Sequence, residues 1–395
     1  MKNKKKTIGL IPKLIIAIIL GILIGLYMPE FVARAVVTLS GFFSTFLKFV
    51  VPLMILAYVT MGIADLSQGA GKLLAITVAI AYCSTLIAGS ASYMVASTLF
   101  PSFMSAGALE QIAATSGVSV APYFSISIPP LLDTLSAVVL AFVLGLCMSA
   151  MRGKEMGNTL YNAISDFSKI IDKTLHTVII PLLPLYICGT FVDMTRSGKT
   201  FAILGILWKV FLVVIAMHLV CIAIQFVIAG AVSGKNPLTL LKNQFPAYTT
   251  ALGTQSSAAT IPVTLQATKK NGVSDMIAEF VIPLCATIHL SGSTITLTSC
   301  SIAIMMLNGW EITFMQMFPF ILMLGVTMVA APGVPGGAVM AALGILESML
   351  GFNEPMLALM IALYIAQDSF GTACNVTGDG AIAVFMDAIT GKKNK

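Results

Sequence analysis

Apolar stretches of membrane-spanning length recur along the chain, near residues 8–28, 36–63, 74–100, 131–151, 174–195, 201–233, 274–307 and 356–387. A bilayer leaves such stretches few backbone solutions. Every buried N–H and C=O must be satisfied inside the protein, which in hydrocarbon only helices and closed barrels achieve. Each stretch reaches the roughly 20 apolar residues a spanning helix needs, about twice what a spanning strand needs. The expected fold class is therefore an all-α polytopic membrane protein. Composition agrees, with 58% hydrophobic residues, 10% charged residues and a mean hydropathy of +0.98, whereas an ordinary soluble domain carries about 25% charged residues. The first stretch runs straight into Tyr27-Met-Pro-Glu30 with no small-residue cleavage site, so it is expected to stay as a first helix.

Basic residues sort by membrane side. With a cytoplasmic N-terminus (Lys2, Lys4, Lys5, Lys6, Lys13), the inner loops also collect Lys72, Arg152, Lys154, Lys235, Lys242, Lys269, Lys270, Lys392, Lys393 and Lys395. The outer loops keep only Arg34, Arg196 and Lys199. This asymmetry predicts both termini in the cytoplasm. The net charge of +6 is thus spent on orientation, and nucleic acid is not expected as a partner. Seven cysteines (83, 147, 188, 221, 285, 300, 374) stand singly in apolar segments, without the paired spacing of a metal site or a disulfide framework.

Two further apolar regions break the alternation. Residues 240–268 begin and end on the basic side and are interrupted by Thr254-Gln-Ser-Ser-Ala-Ala-Thr-Ile-Pro262. Residues 313–350 begin and end on the acidic side and are interrupted by Ala331-Pro-Gly-Val-Pro-Gly-Gly337. Both read as re-entrant hairpins, against an alternative of two long tilted helices kinked at proline. A hairpin tip cannot leave its backbone facing lipid, so both tips should meet protein or a water-filled site. The order hairpin, helix, hairpin, helix with opposite entry sides is an inverted repeat, whose tips meet near the midplane. Residues 1–235 are then six spans of mainly scaffold, the third and sixth assignable to either part. Residues 236–391 are the ligand-carrying core, 392–395 a basic cytoplasmic tail, and 101–130 a surface excursion.

Inside the last span, Gln367-Asp-Ser-Phe-Gly-Thr-Ala-Cys-Asn-Val-Thr-Gly-Asp379 carries the polar groups most expensive to bury. Asp368, Thr372, Asn375 and Asp379 stand at i, i+4, i+7 and i+11, one stripe of a helix. An ionised side chain at that depth should face a cavity or an ion path. An aspartyl protease dyad is disfavoured, because carboxylates eleven residues apart on one helix are separated by roughly 16 Å, whereas such a dyad shares a proton. The triplet Asn375-Val-Thr377 matches a glycosylation acceptor but lies within the membrane. A binding-only sensor or a channel would carry the same stripe, so the residues by themselves leave those readings open beside a carrier.

Four motifs, Thr254–Pro262, Pro283-Leu-Cys-Ala-Thr-Ile-His-Leu-Ser-Gly-Ser293, Ala331–Gly337 and Gln367–Asp379, occur in an order that resembles the dicarboxylate/amino acid:cation symporters. The similarity starts at Phe46-Leu-Lys-Phe-Val-Val-Pro-Leu53 and is strongest in the C-terminal half. The resemblance implies eight transmembrane helices plus two re-entrant hairpins, the inverted-repeat glutamate-transporter-like fold. It also implies a homotrimer in the bacterial inner membrane, in contact with lipid, with an elevator-like motion and no organic cofactor.

For the substrate, the resemblance implies Ser256 and Ser257 at the first tip for a carboxylate, with Ser293 and Gly336 lining the site. Asp368 and Thr372 would meet the amino group and Asn375 the carboxylate. The position of Gly371 holds an arginine in members that carry acidic substrates. Without that cation a second buried carboxylate would cost several kcal/mol, so a small neutral amino acid such as serine, threonine or alanine is expected; a dicarboxylate or acidic amino acid is the alternative. For the coupling ion, Na+ is implied at Asp379, Asn375, Cys285, Thr287 and His289, with Tyr82 and Thr85 from the third span. The pattern departs from the family at His289, which replaces an asparagine, at Ser291, which replaces an aspartate in many members, and at Leu86, which replaces a serine. These departures leave room for fewer sodium ions, or for a proton at His289. His176 and His218 are expected to be structural.

Overall fold

The computed structural model describes residues 10–65, 71–104, 119–151, 157–198, 200–329, 331 and 335–391. Among them the regular secondary structure is all helical, without strands. The N-terminal half consists of α1 (Leu10–Tyr27), α2 (Glu30–Asp65), α3 (Gly71–Leu99), α4 (Thr134–Met151), α5 (Asn158–Thr174), α6 (Ile180–Arg196) and α7 (Thr200–Ser233). The C-terminal half follows as α8 (Pro237–Thr254), α9 (Ser257–Lys270), α10 (Asp275–Ile288), α11 (Ser291–Leu307), α12 (Phe314–Val329), α13 (Gly337–Leu350) and α14 (Glu354–Gly391). Six helical runs among the described residues are long and apolar enough to cross a bilayer. The basic tail 392–395 and residues 105–118 of the excursion lie outside the described residues.

Several boundaries differ from the sequence reading. The second span is longer than 36–63, because Glu30 starts α2 directly after the turn at Pro29. The expected span 174–195 is the second half of one helical run, Asn158–Arg196, whose first half is α5. The halves join through a π turn at Leu175–Ile179, and two prolines of α6, Pro181 and Pro184, lack the N–H that would propagate a regular ladder there. The excursion is fastened down where described. Arg34 Nε donates to Ala121 O, Thr45 Oγ1 to Ile126 O, and the Tyr123 N–H to Thr38 Oγ1, at 2.9–3.1 Å.

Both interrupted regions are helix pairs that fold back on themselves rather than kinked single helices. Helices α8 and α9 pack together, as do α12 and α13. Asn236 opens α8, its Oδ1 accepting the N–H groups of Leu238 (2.9 Å) and Thr239 (3.3 Å). Pro237 follows at the position where a missing N–H costs nothing. At the far end Gln255 adopts a left-handed conformation (φ 53°, ψ 26°), and Ser256 caps α9 by accepting the Ala259 N–H at 3.2 Å. Lys269 closes the turn into α10 with ion pairs to Asp275 (2.9 Å) and Glu279 (2.7 Å).

Helix α14 is the axis of the C-terminal half. It packs most heavily against α7, α11 and α8, and also touches α9, α10 and α13. Helix α3 packs on α11 and α12, so both α3 and α7 belong by contact to the C-terminal cluster. The remaining N-terminal helices pack mainly on one another, α1 on α6 and α2 on α4, α5 and α6. Small residues let α14 be approached so closely. A Cβ on Gly292 would collide with the Gly371 carbonyl, so α11 and α14 cross backbone to backbone.

Candidate functional site

The polar stripe of α14 faces inward. Asp368, Thr372, Asn375 and Asp379 are all buried, and two groups of contacts form along them.

The first group surrounds Asp368. Its Oδ2 accepts the Gly336 N–H at 2.7 Å, and Thr372 Oγ1 lies 3.4 Å from Oδ1. Gly336 takes φ +74° at the N-terminus of α13, a conformation open to glycine without Cβ strain. The carboxylate thus sits where free N–H groups and the helix dipole favour a negative charge. Residues 330 and 332–334 of this second tip lie outside the described residues. At the first tip, Gln255 Nε2 donates to Ser369 Oγ at 2.8 Å. Ser257 is buried beside the capping Ser256. Gln255 is the one described non-glycine residue with positive φ, a conformation costing on the order of 1 kcal/mol.

One turn further, Asn375 closes a gap in the neighbouring helix. The run 274–307 is broken because His289 (φ −112°, ψ 92°) and Leu290 (φ −117°, ψ 51°) leave helical geometry. The N–H groups that the break frees at the start of α11 turn to Asn375. Its Oδ1 accepts from Gly292 (2.7 Å) and Ser293 (3.3 Å), and its Nδ2 donates to Ser293 Oγ at 3.0 Å. Tyr364 also donates to Ser293 Oγ, at 2.9 Å. His218, buried on α7, completes the support, its Nε2 lying 3.0 Å from Gly292 O and 3.1 Å from Thr296 Oγ1.

The second group surrounds Asp379. His289 Nδ1 lies 2.9 Å from Asp379 Oδ1, with side-chain exposures of 0% and 1%. The other ring nitrogen lies 3.0 Å from Ser84 Oγ on α3, and Gln225 Nε2 on α7 donates to Ser84 Oγ at 3.1 Å and to Ser291 Oγ at 3.4 Å. The result is a polar chain from α7 through α3 and the broken segment to α14. Gly378 makes it fit, since a Cβ there would come within 2.6 Å of Gln225 Oε1 and 2.8 Å of His289 Cε1.

Of the expected substrate residues, Asp368, Thr372 and Gly336 meet one another and Asn375 meets Ser293, while Ser256 and Ser257 stand at the first tip. A Cβ at Gly371 would meet only ordinary contacts, 3.6–3.7 Å from Thr296 Oγ1 and the backbone at Gly292 and Ser293. None of the four motifs contains a Lys or Arg. The expected cation ligands converge only in part. Asp379 and His289 meet, but Tyr82 donates to Leu322 O (3.1 Å), Thr85 to Ala81 O (2.9 Å) and Thr287 to Leu284 O (2.8 Å). The Cys285 carbonyl accepts the His289 N–H at 2.9 Å. Asn375 spends its amide on α11.

Hard cations select oxygen ligands. Around Asp379 the available oxygens are the second carboxylate oxygen, Ser84 Oγ, Ser291 Oγ and Gln225 Oε1, the last of which has no hydrogen-bond partner among the described residues. Gln225, Ser84 and Ser369 were not singled out from the sequence. A carboxamide in the strongly apolar span 201–233 was a usable signal for Gln225. Ser84 had no comparable signal, because lone serines are common in such helices.

The chain is 24% identical to a serine/threonine transporter of Streptococcus thermophilus over 404 aligned residues, covering 98% of this chain and 97% of the relative. It is 26% identical to a serine/threonine transporter of Acinetobacter baumannii over 394 residues, 96% of each. An excitatory amino acid transporter of Caenorhabditis elegans is 26% identical over 257 residues, 63% of this chain and 49% of the relative. With residues 10–389 matching its pattern, the chain belongs to the sodium:dicarboxylate symporter family, whose members are membrane transporters and not enzymes.

Proposed function

We propose that this symporter couples uptake of a small neutral amino acid, of the serine, threonine or alanine type, to inward flow of Na+ by alternating access. One observation carries the substrate class. Asp368 offers a buried carboxylate to an ammonium, while Gly371 and the four motifs offer no cation to a second substrate carboxylate. An ammonium against that carboxylate forms a charge-assisted hydrogen bond in a dry site. A dicarboxylate or acidic amino acid would bury an unpaired charge at a cost of several kcal/mol. The serine/threonine transporters among the full-length relatives support the same choice.

In this reading Asp368 and Thr372 hold the substrate amine. The N–H groups near Ser256 and Ser257, with Ser293 and Asn375, receive its carboxylate, and Gly336 closes the second tip over it. The topology is eight spans with two re-entrant hairpins and cytoplasmic termini. Residues 236–391, joined by α3 and α7, form the moving core, and the other helices of 1–235 form a scaffold that assembles as a homotrimer in the inner membrane. The packing of α3 and α7 on α11, α12 and α14 supports that division.

A second reading, coupling to protons through His289, is favoured by the imidazole lying on Asp379 at 2.9 Å. Purified protein in proteoliposomes, offered labelled serine, threonine, alanine, aspartate and succinate under separate sodium and proton gradients, tests both readings. Concentrative uptake of a neutral amino acid under a sodium gradient is expected. Uptake driven by the proton gradient alone would establish the second reading, and uptake restricted to aspartate or succinate would overturn the substrate class.

A further inference from the structure

Both hairpin tips are fastened to consecutive residues of α14, by bonds of different kinds. The second tip is held by Asp368, whose Oδ2 accepts the Gly336 N–H at 2.7 Å. The first tip is held by Ser369, whose Oγ accepts from Gln255 Nε2 at 2.8 Å across 114 residues of chain. The second fastening uses a charge that a bound ammonium would also engage. The first is an amide–hydroxyl bond between neutral groups, on which no candidate substrate contact draws.

The first fastening depends on the side chain of Gln255. Its backbone turns left-handed to end α8, donating its N–H to Ala251 O at 2.9 Å. Glycine takes that conformation without strain and is the usual residue there. A glutamine in its place keeps the strain and gains one thing, a side chain long enough to reach α14. The next residue, Ser256, caps α9, so where Gln255 is held decides where the free N–H groups at the start of α9 point.

We infer that Gln255 and Ser369 form a ligand-independent latch that fixes the first hairpin tip against α14, making both of them positioning residues for the substrate carboxylate contact. The effect on substrate affinity rests on the site proposed above; the latch itself does not.

Two measurements separate those layers. The first needs no substrate. A cysteine is introduced at exposed Ala258 in the tip, and its alkylation by a membrane-impermeant maleimide is measured above the background of the parent protein. Ser369→Ala and Gln255→Gly are each expected to speed alkylation severalfold. Ser369→Thr, which keeps the hydroxyl, should leave it at the parental rate. The second measurement is uptake. Loss of one neutral hydrogen bond should raise KM roughly five- to tenfold with the maximal rate retained. The double variant should be no worse than either single one, because both remove the same bond. Unchanged alkylation in both single variants would overturn the latch. Faster alkylation with unchanged KM would retain the latch and overturn its role at the substrate. Faster alkylation in a protein that transports no amino acid would retain the latch and count against the proposed substrate.

Discussion

Asp368 and Gly371 stand three residues apart on α14, and they make opposite demands on a ligand. Asp368 is buried and already receives the Gly336 N–H. Asparagine has nearly the same shape, and its Oδ1 can accept that N–H as well, so Asp368→Asn should leave the second tip in place. What it removes is the negative charge. Hydrogen bonds to charged groups contribute roughly 1.5–3 kcal/mol, up to about 150-fold in affinity. Asp368→Asn is expected to reduce uptake of the neutral amino acid to background, with unchanged elution on size exclusion in detergent; uptake at the parental rate would remove Asp368 from the site. Gly371→Arg tests the complementary demand. The Cβ fits within ordinary contact distance of Thr296 and the backbone at Gly292 and Ser293, so the substitution should not force α11 and α14 apart. A guanidinium there can pair a carboxylate bidentately. Aspartate or succinate should then compete better against serine by at least about tenfold, the value of one charge-assisted bond. Equal competition before and after would break the link between Gly371 and selectivity.

At the scale of helices, the α11–α14 crossing depends on Gly292. Gly292→Ala would drive a methyl group into the Gly371 carbonyl, a backbone atom that cannot rotate away. Overpacking of this kind costs about 1–3 kcal/mol, so a lower melting temperature and lost uptake are expected. Gly205 in α7 is the control, because a Cβ there meets nothing within 4 Å. Gly205→Ala should be neutral or stabilise by up to about 1 kcal/mol through helix propensity. Equal melting shifts for the two variants would refute the crossing argument. What was legible in the sequence follows the same physics. Hydropathy located most of the apolar helices, because lipid enforces helix on any apolar stretch, but it missed the polar first half of the run Asn158–Arg196 and the first turns of α2. The interruptions at 254–262 and 331–337 were visible for the same reason, since polar and glycine-rich residues have no other use at that depth. Side-chain direction was not legible. Tyr82 and Thr85 were expected at the cation cluster, but Tyr82 points to α12 and Thr85 bonds back to its own helix, leaving Ser84 to face His289. Only 28% of the apolar window of α3 is buried inside the protein, and a face turned to lipid is as apolar as a face turned to the core, so periodicity does not say which face turns where.

Across the whole molecule, the two halves meet at the N-terminal end of α14. Lys48 of α2 forms an ion pair with Glu354, and the Tyr186 hydroxyl of α6 donates to the Glu354 carbonyl at 3.1 Å. Both side chains of the ion pair are about half exposed, at 40% and 45%, so its direct contribution to stability is small, about 0.2–1 kcal/mol. A weak tie suits a contact that must break. If the core slides past α2 and α6 to carry substrate inward, Glu354 has to leave Lys48 once in every cycle. Replacing both residues with cysteine and bridging them with a short bis-thiol reagent would prevent that separation. Bridged protein is expected to lose uptake while still binding the amino acid, because Asp368 lies almost four helical turns further along α14. Each cysteine variant alone, treated with the same reagent, should keep its uptake. If the bridged protein transports at the rate of the unbridged one, α14 does not move relative to α2. Alternating access would then have to arise within the C-terminal half, from the second tip leaving Asp368.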